Sequence, residues 1–166
     1  MPVVLSENED LGRLFWAYGL RGRPVRAYAE VLGALLDGSS TGGGTFDLGA
    51  ATFDMTRVVT GQLDAYVEPG PLLIEAVPEV RAEFERVGGG AVLNNAPYDL
   101  AAGALCVSEG GGIVTDAAGR PLDRRPVLGS GVEYQMSVIA AANQALHTQL
   151  VAAVQAGVRR LRASLR

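Results

Sequence analysis

The sequence predicts an α/β protein, a layered mixed sheet with flanking helices. Three observations predict it. Short apolar runs alternate with helix-length segments along almost the whole chain. Residues 24–36 and 143–158 carry apolar side chains every three to four positions, the stripe of a helix packed on one side. Residues 63–68 alternate with period two, as a strand does.

Leu14 to Tyr18 is an apolar and aromatic run closed by Gly19, and it reads as the first strand. Gly22 and Pro24 end it. Val25, Tyr28, Val31, Leu32, Leu35 and Leu36 then line one face of a helix that stops at Asp37-Gly38-Ser39-Ser40. Thr41 to Gly44 is a glycine-rich segment. It lacks the Lys-Ser or Lys-Thr of a phosphate-binding P-loop, so it reads as a close-packed turn. Ala50 to Val59 is the next helix, ended by Gly61. Leu63, Ala65 and Val67 alternate with Asp64, Tyr66 and Glu68, giving a strand with unlike faces, broken by Pro69-Gly70-Pro71. A charged helix is expected over 72–88 and a brief strand at Ala91 to Leu93. A helix from near Asp99 runs to Ser108, and a strand follows at Ile113 to Thr115. Ser137 to Ala141 reads as a strand. Asn143 starts the last helix, with Leu146, Leu150, Val154 and Val158 at successive turns.

Composition narrows the function classes. The formal charge of −4 gives no general attraction to nucleic acid. The cluster Arg159, Arg160, Arg162 and Arg166 reads as a wetted helix end suited to the helix dipole. One cysteine excludes an intrachain disulfide and a cysteine-based zinc site. Cys106 lies in an apolar run and is expected to be a buried, inert thiol. The single histidine, His147, excludes a multi-histidine metal centre and reads as a packing or helix-surface residue. No uncharged apolar run approaches the ~20 residues of a membrane span. Glu7, Glu9 and Asp10 follow the apolar start, unlike a signal peptide. A cytoplasmic setting with no nucleic-acid or membrane partner is the expectation.

Three segments together resemble the inositol monophosphatase superfamily. The first is Asp47-Leu48-Gly49-Ala50-Ala51-Thr52-Phe53-Asp54, continuing through Gly61 to Asp64-Ala65-Tyr66 and Glu68. The second is Pro97-Tyr98-Asp99-Leu100-Ala101-Ala102-Gly103-Ala104, followed by Glu109-Gly110-Gly111-Gly112. The third is Ser137 to Asn143 with His147. Tyr98 stands where the family carries Trp, and Ala50 where it often carries a hydroxyl residue. The link from Glu68 to Asp99 is about thirty residues, longer than the family's, and is read as an insertion over about 69–97 that builds a lid or interface.

The resemblance implies a magnesium-dependent phosphomonoesterase acting on inositol or sugar phosphates. The family's Asp-Pro-Ile-Asp-Gly-Thr segment, which supplies much of the metal site, has no match here. The chain, one domain over 1–166, is therefore expected to be the C-terminal subdomain of that fold with the N-terminal metal-binding half absent. On that view it is inactive alone and binds magnesium weakly or not at all. It pairs with the missing half, or with a second copy as a homodimer covering an exposed apolar face. A non-catalytic interaction module that keeps the fold is the alternative. An intact small enzyme of another class ranks last, because no acid, base or nucleophile cluster stands out.

Residue by residue, the resemblance makes Asp99 a metal ligand; read locally, it is an ordinary helix cap. Glu68 matches a residue that contacts substrate hydroxyls, and a solvated strand end is an equal reading. Gly49, Ala50 and Ala51 match the turn that approaches substrate, with tight helix packing as the plain alternative. Asp54, Asp64, Glu109 and Asp116 carry weaker signals.

Overall fold

The computed structural model describes residues 4–123 and 125–165. Arg166, the last of the C-terminal arginines, lies outside them. Among these residues five strands form one sheet: β1 (Phe15–Ala17), β2 (Gly44–Phe46), β3 (Ala65–Glu68), β4 (Ile113–Thr115) and β5 (Val138–Ala141), in the order β2-β1-β3-β5-β4. β1 is parallel to β2 and β3. β5 is antiparallel to β3 and β4.

Among the described residues, six α-helices flank it: α1 (Val25–Gly38), α2 (Ala51–Val59), α3 (Gly70–Ala76), α4 (Arg81–Val87), α5 (Pro97–Glu109) and α6 (Gln144–Ser164). One core gathers Val31, Leu32 and Leu35 of α1 with Leu146, Leu150 and Val154 of α6, against Trp16, Val67 and Ile139 of the sheet. The other gathers Met55 and Val58 of α2 with Leu100 and Val107 of α5, against Tyr66, Val138 and Ala140. The strand side chains alternate between the two cores, as the pleat requires. Asn143 caps α6, its Oδ1 accepting from the Leu146 amide at 2.9 Å.

Several expectations change. The subdomain reading is corrected, because the chain's own helices cover both faces of the sheet and the layered fold runs through nearly the whole chain. β3 does not have one wet face: all four residues, Tyr66 and Glu68 included, are buried because both faces are covered. The single helix expected over 72–88 is broken into α3, a 3-10 turn at Pro78–Val80, and α4. Pro78 has no amide hydrogen to continue the ladder. The segment read as an insertion places Leu73, Val77, Val80 and Phe84 in the first core, so residues 70–87 are part of the packed body. Residues 91–93 are not a strand.

β2 was missed, because Thr41 to Gly44 reads only as a turn. Gly43 is needed there, since a Cβ on it would stand 2.1 Å from the Leu14 carbonyl oxygen. Cys106 is exposed rather than buried, because the helical phase of α5 turns Val107 inward. His147 is buried, with Nε2 2.8 Å from Thr115 Oγ1, and burial lowers its pKa.

Candidate functional site

β1, β2 and β3 run parallel, and the loops at their carboxyl ends meet around one cleft. Such ends are the usual ligand position of α/β sheets. Gly19 and Arg21 follow β1, Asp47 and Gly49 follow β2, and Asn94 and Asn95 lie on the long passage after β3. The first turns of α2 and α5 complete the wall with Ala51, Asp54 and Asp99. The cleft has a volume of about 760 Å³, within the range of small-molecule sites.

Asp99 is half-buried in the first turn of α5. Its Oδ2 accepts from the Ala96 amide at 2.9 Å, so the local cap reading describes one of its oxygens. The Thr52 hydroxyl donates to the Asp99 carbonyl at 2.6 Å and ties the start of α2 to the start of α5. Asp54, one turn into α2, is 1% exposed, and its Oδ1 has no hydrogen-bond partner. Burial, with the charge of Asp47 adding to it, pushes this carboxyl up to about 7. Asp47 spends its oxygens on the loop: Oδ1 accepts from the Gly49 amide at 3.2 Å and Oδ2 from the Leu20 amide at 3.3 Å.

Gly49, Ala50 and Ala51 form the turn into α2 and line the same cleft. The N-cap is Ala50, which has no side-chain acceptor, so no side chain caps the helix start. Uncapped amides at a helix N-terminus suit an anion.

Glu68 does not line the cleft. Its carboxylate is completely buried, ion-paired to the Arg23 guanidinium at 2.9 Å. It also accepts from the Gly70 amide at 3.0 Å and from the Tyr28 hydroxyl. Burial, the largest single influence, lowers the Arg23 pKa, but Glu68, Tyr28 and Tyr66 together outweigh it and leave the group raised. Burial, and then Glu68, holds Tyr28 and Tyr66 well above the ordinary phenol range. Asn95 joins this network, donating to the Tyr66 hydroxyl at 3.2 Å and accepting from Arg23 at 3.3 Å.

The structure thus brings Asp99, Gly49, Ala50 and Ala51 to one cleft and places Glu68 behind its wall. Sequence reasoning missed Arg23, which sat in a segment read only as the end of a strand. It gave Asp54 little weight and overlooked Asn94. A buried, charged network spanning β3 and the loop after β1 has no local signature.

Among the described residues, no three His, Cys, Asp or Glu side chains come together as a ligand group. Magnesium, however, commonly keeps several waters and takes one or two carboxylates plus phosphate oxygens. Asp99 and the orphaned oxygen of Asp54 supply that many. Asp64 serves elsewhere: Oδ2 accepts from the Phe15 amide at 2.7 Å and from Asn8 at 2.9 Å. Asp116 holds the turn at Ala118 and Arg120. Glu109 is exposed at the end of α5.

Comparison with known proteins fixes the family. The model of the inositol monophosphatase family matches residues 4–159. A protein of Neisseria meningitidis named putative Nus factor SuhB is 36% identical over 81 residues, 49% of this chain and 22% of that protein. An inositol monophosphatase from Anabaena superimposes with a TM-score of 0.61 at 22% identity, over 93% of this chain and 48% of that one. The extragenic suppressor protein suhB of Bartonella henselae gives 0.63 at 23% identity, over 92% and 46%. The chain spans about half the length of these two solved structures.

The family match through residues 4–159 overturns the description of the chain as a C-terminal fragment with its metal-binding half absent. The expectations built on that description fall with it: a truncated domain, inactivity alone, a missing half as partner, and a homodimer. What the family carries is an association with magnesium-dependent phosphatases. The chain belongs to the inositol monophosphatase family.

Proposed function

We propose that this cleft binds and hydrolyses phosphomonoesters of inositol or sugars with magnesium. One observation carries the reading. Two carboxylates with oxygen to spare, Asp54 and Asp99, line the same cleft as the uncapped amides of α2. That pairing offers a place for a hard cation beside a place for the anion it neutralises. The longer solved relatives, one of them the inositol monophosphatase from Anabaena, support the substrate class.

Gly49, Ala50 and Ala51 bring backbone close to the ligand, and the start of α2 holds the phosphate oxygens. Asp99 and Asp54 would hold the metal, which when bound would supply neutralising charge and activate water at the site. Tyr98 and residues 91–96 also line the cleft. No covalent nucleophile is needed, and Cys106 lies on α5 outside the set that lines the cleft.

The test uses the purified chain with inositol 1-phosphate and glucose 6-phosphate. Phosphate release should require millimolar magnesium and disappear in Asp99→Asn. Magnesium should also raise the melting temperature of the wild type and not of Asp99→Asn, a readout independent of turnover. Release that ignores both magnesium and Asp99, or no release at all, overturns the reading.

A further inference from the structure

The passage from α4 to α5 forms one wall of the cleft and is loosely held. Each of residues 91–96 lines the cleft. Among the described residues, no backbone N–H from Ala91 to Asn95 donates a hydrogen bond. Two bonds hold the backbone of this strap: the Met136 amide donates to the Asn95 carbonyl at 2.9 Å, and Gln135 Nε2 to the Val92 carbonyl at 2.7 Å. The Asn95 side chain adds its bonds to Tyr66 and Arg23, and the Val92 side chain reaches the first core.

The strap lies on two glycines. A Cβ on Gly22 would stand 2.8 Å from the Leu93 Cβ, and one on Gly70 would stand 2.2 Å from Asn94 Oδ1. Leu93 and Asn94 therefore rest on backbone that has no side chain to grip them. Both polar atoms of the Asn94 carboxamide are buried there without a hydrogen bond. Buried polar groups are normally paired, so the closed strap gives up two partners that water supplies once it lifts.

The end of the strap at α4 suits a swing. The amides of Gly88 and Gly90 donate back to the Phe84 and Glu85 carbonyls and close α4. Gly89 and Gly90 follow with φ of +69° and +101°, and a Cβ on either would meet nothing within 4 Å. The helix thus keeps its end while the chain beyond Gly90 is free to turn.

We propose that residues 91–95 are a lid on the cleft, which lifts from Gly22 and Gly70 while α4, α5 and the sheet stay folded. Opening hydrates Asn94 and widens the cleft beside the loop after β1. This goes beyond the phosphomonoester reading and does not depend on it.

Residue-resolved hydrogen exchange on the full chain, without ligand, tests the lid. The Met136 amide is the reporter, because its partner is the strap carbonyl of Asn95. In the wild type it should exchange at least about a hundredfold faster than the paired amides of β5, as a local opening does. Its rate should also change little with urea, since lifting the strap exposes little surface. Asn94→Leu removes the unpaired carboxamide and should slow Met136 exchange by about tenfold. Gln135→Ala removes a clamp and should speed it. Melting curves check that both variants fold, and the wild-type comparison needs neither. A Met136 amide as slow as those of β5 overturns the lid. So does a Met136 rate that Asn94→Leu leaves unchanged, because a fraying end of β5 would not sense residue 94.

Discussion

Glu68 and Arg23 form an ion pair sealed inside the protein, 2.9 Å apart, with the carboxylate wholly removed from solvent. The pair joins the end of β3 to the loop after β1, and Arg23 with Tyr66 of β3 lines the cleft. Removing one partner strands the other charge. Glu68→Met should therefore cost about 3–5 kcal/mol, as should Arg23→Met. The double variant should recover most of that loss, since no charge is left unpaired. Urea unfolding of the three proteins checks this. Losses that simply add in the double variant would show that the ion pair does not link them.

Asp54 sets a pH dependence. Its carboxyl is raised from 3.8 to about 7 in the folded protein, by burial first and by Asp47 second. Between those values the folded state binds more protons than the unfolded chain. Stability therefore falls as pH rises through this window, and the group adds no further slope above it. Asp54→Asn removes the contribution. With EDTA present, the variant should gain on the wild type by on the order of a few kcal/mol between pH 5 and pH 8, measured by urea unfolding. Parallel curves for the two proteins would mean that Asp54 titrates normally.

Cys106 gives a direct test of helical phase. Leu105-Cys106-Val107 reads as apolar burial when taken as a string. On α5, Val107 points into the second core while Leu105 and Cys106 face out. A thiol reagent should modify the native chain at a rate close to that of the urea-unfolded chain. Protection until unfolding would place the thiol inside.

These contrasts show what the sequence could carry. Periodicity located α1 and α6, because a stripe such as Leu146, Leu150 and Val154 is local information. The signature around Asp99 located the start of α5 within two residues, and Pro97 at the first position of the helix explains the difference. β2 escaped, being three residues long at a sheet edge behind a Gly-rich turn. The site was legible in pieces only. Asp99 and the Gly49–Ala51 turn could be named from flanking residues. Their meeting depends on α2 packing against α5, a contact between distant segments. Glu68 shows the limit most clearly. A carboxylate at a strand end is the same letter whether water or Arg23 faces it, and only the third dimension decides.

Gly157 of α6 packs directly against the backbone of α1 at Val31, and it carries the last prediction. A Cβ added there would stand 2.0 Å from the Val31 carbonyl oxygen and 2.7 Å from the Val31 Cα. Those are backbone atoms and cannot rotate away. In an exposed helix interior, Gly→Ala gains about 1 kcal/mol from propensity. Here that gain is set against forcing two helix backbones apart, an overpacking cost of about 1–3 kcal/mol or more. Gly157→Ala should be net destabilising. Gly33, in the middle of α1, has nothing within 4 Å of the same added atom, so Gly33→Ala supplies the control and should stabilise by about 0.5–1 kcal/mol. Opposite shifts of the two melting temperatures are expected. If Gly157→Ala melts as high as Gly33→Ala, the two helices do not lie as close as this packing requires.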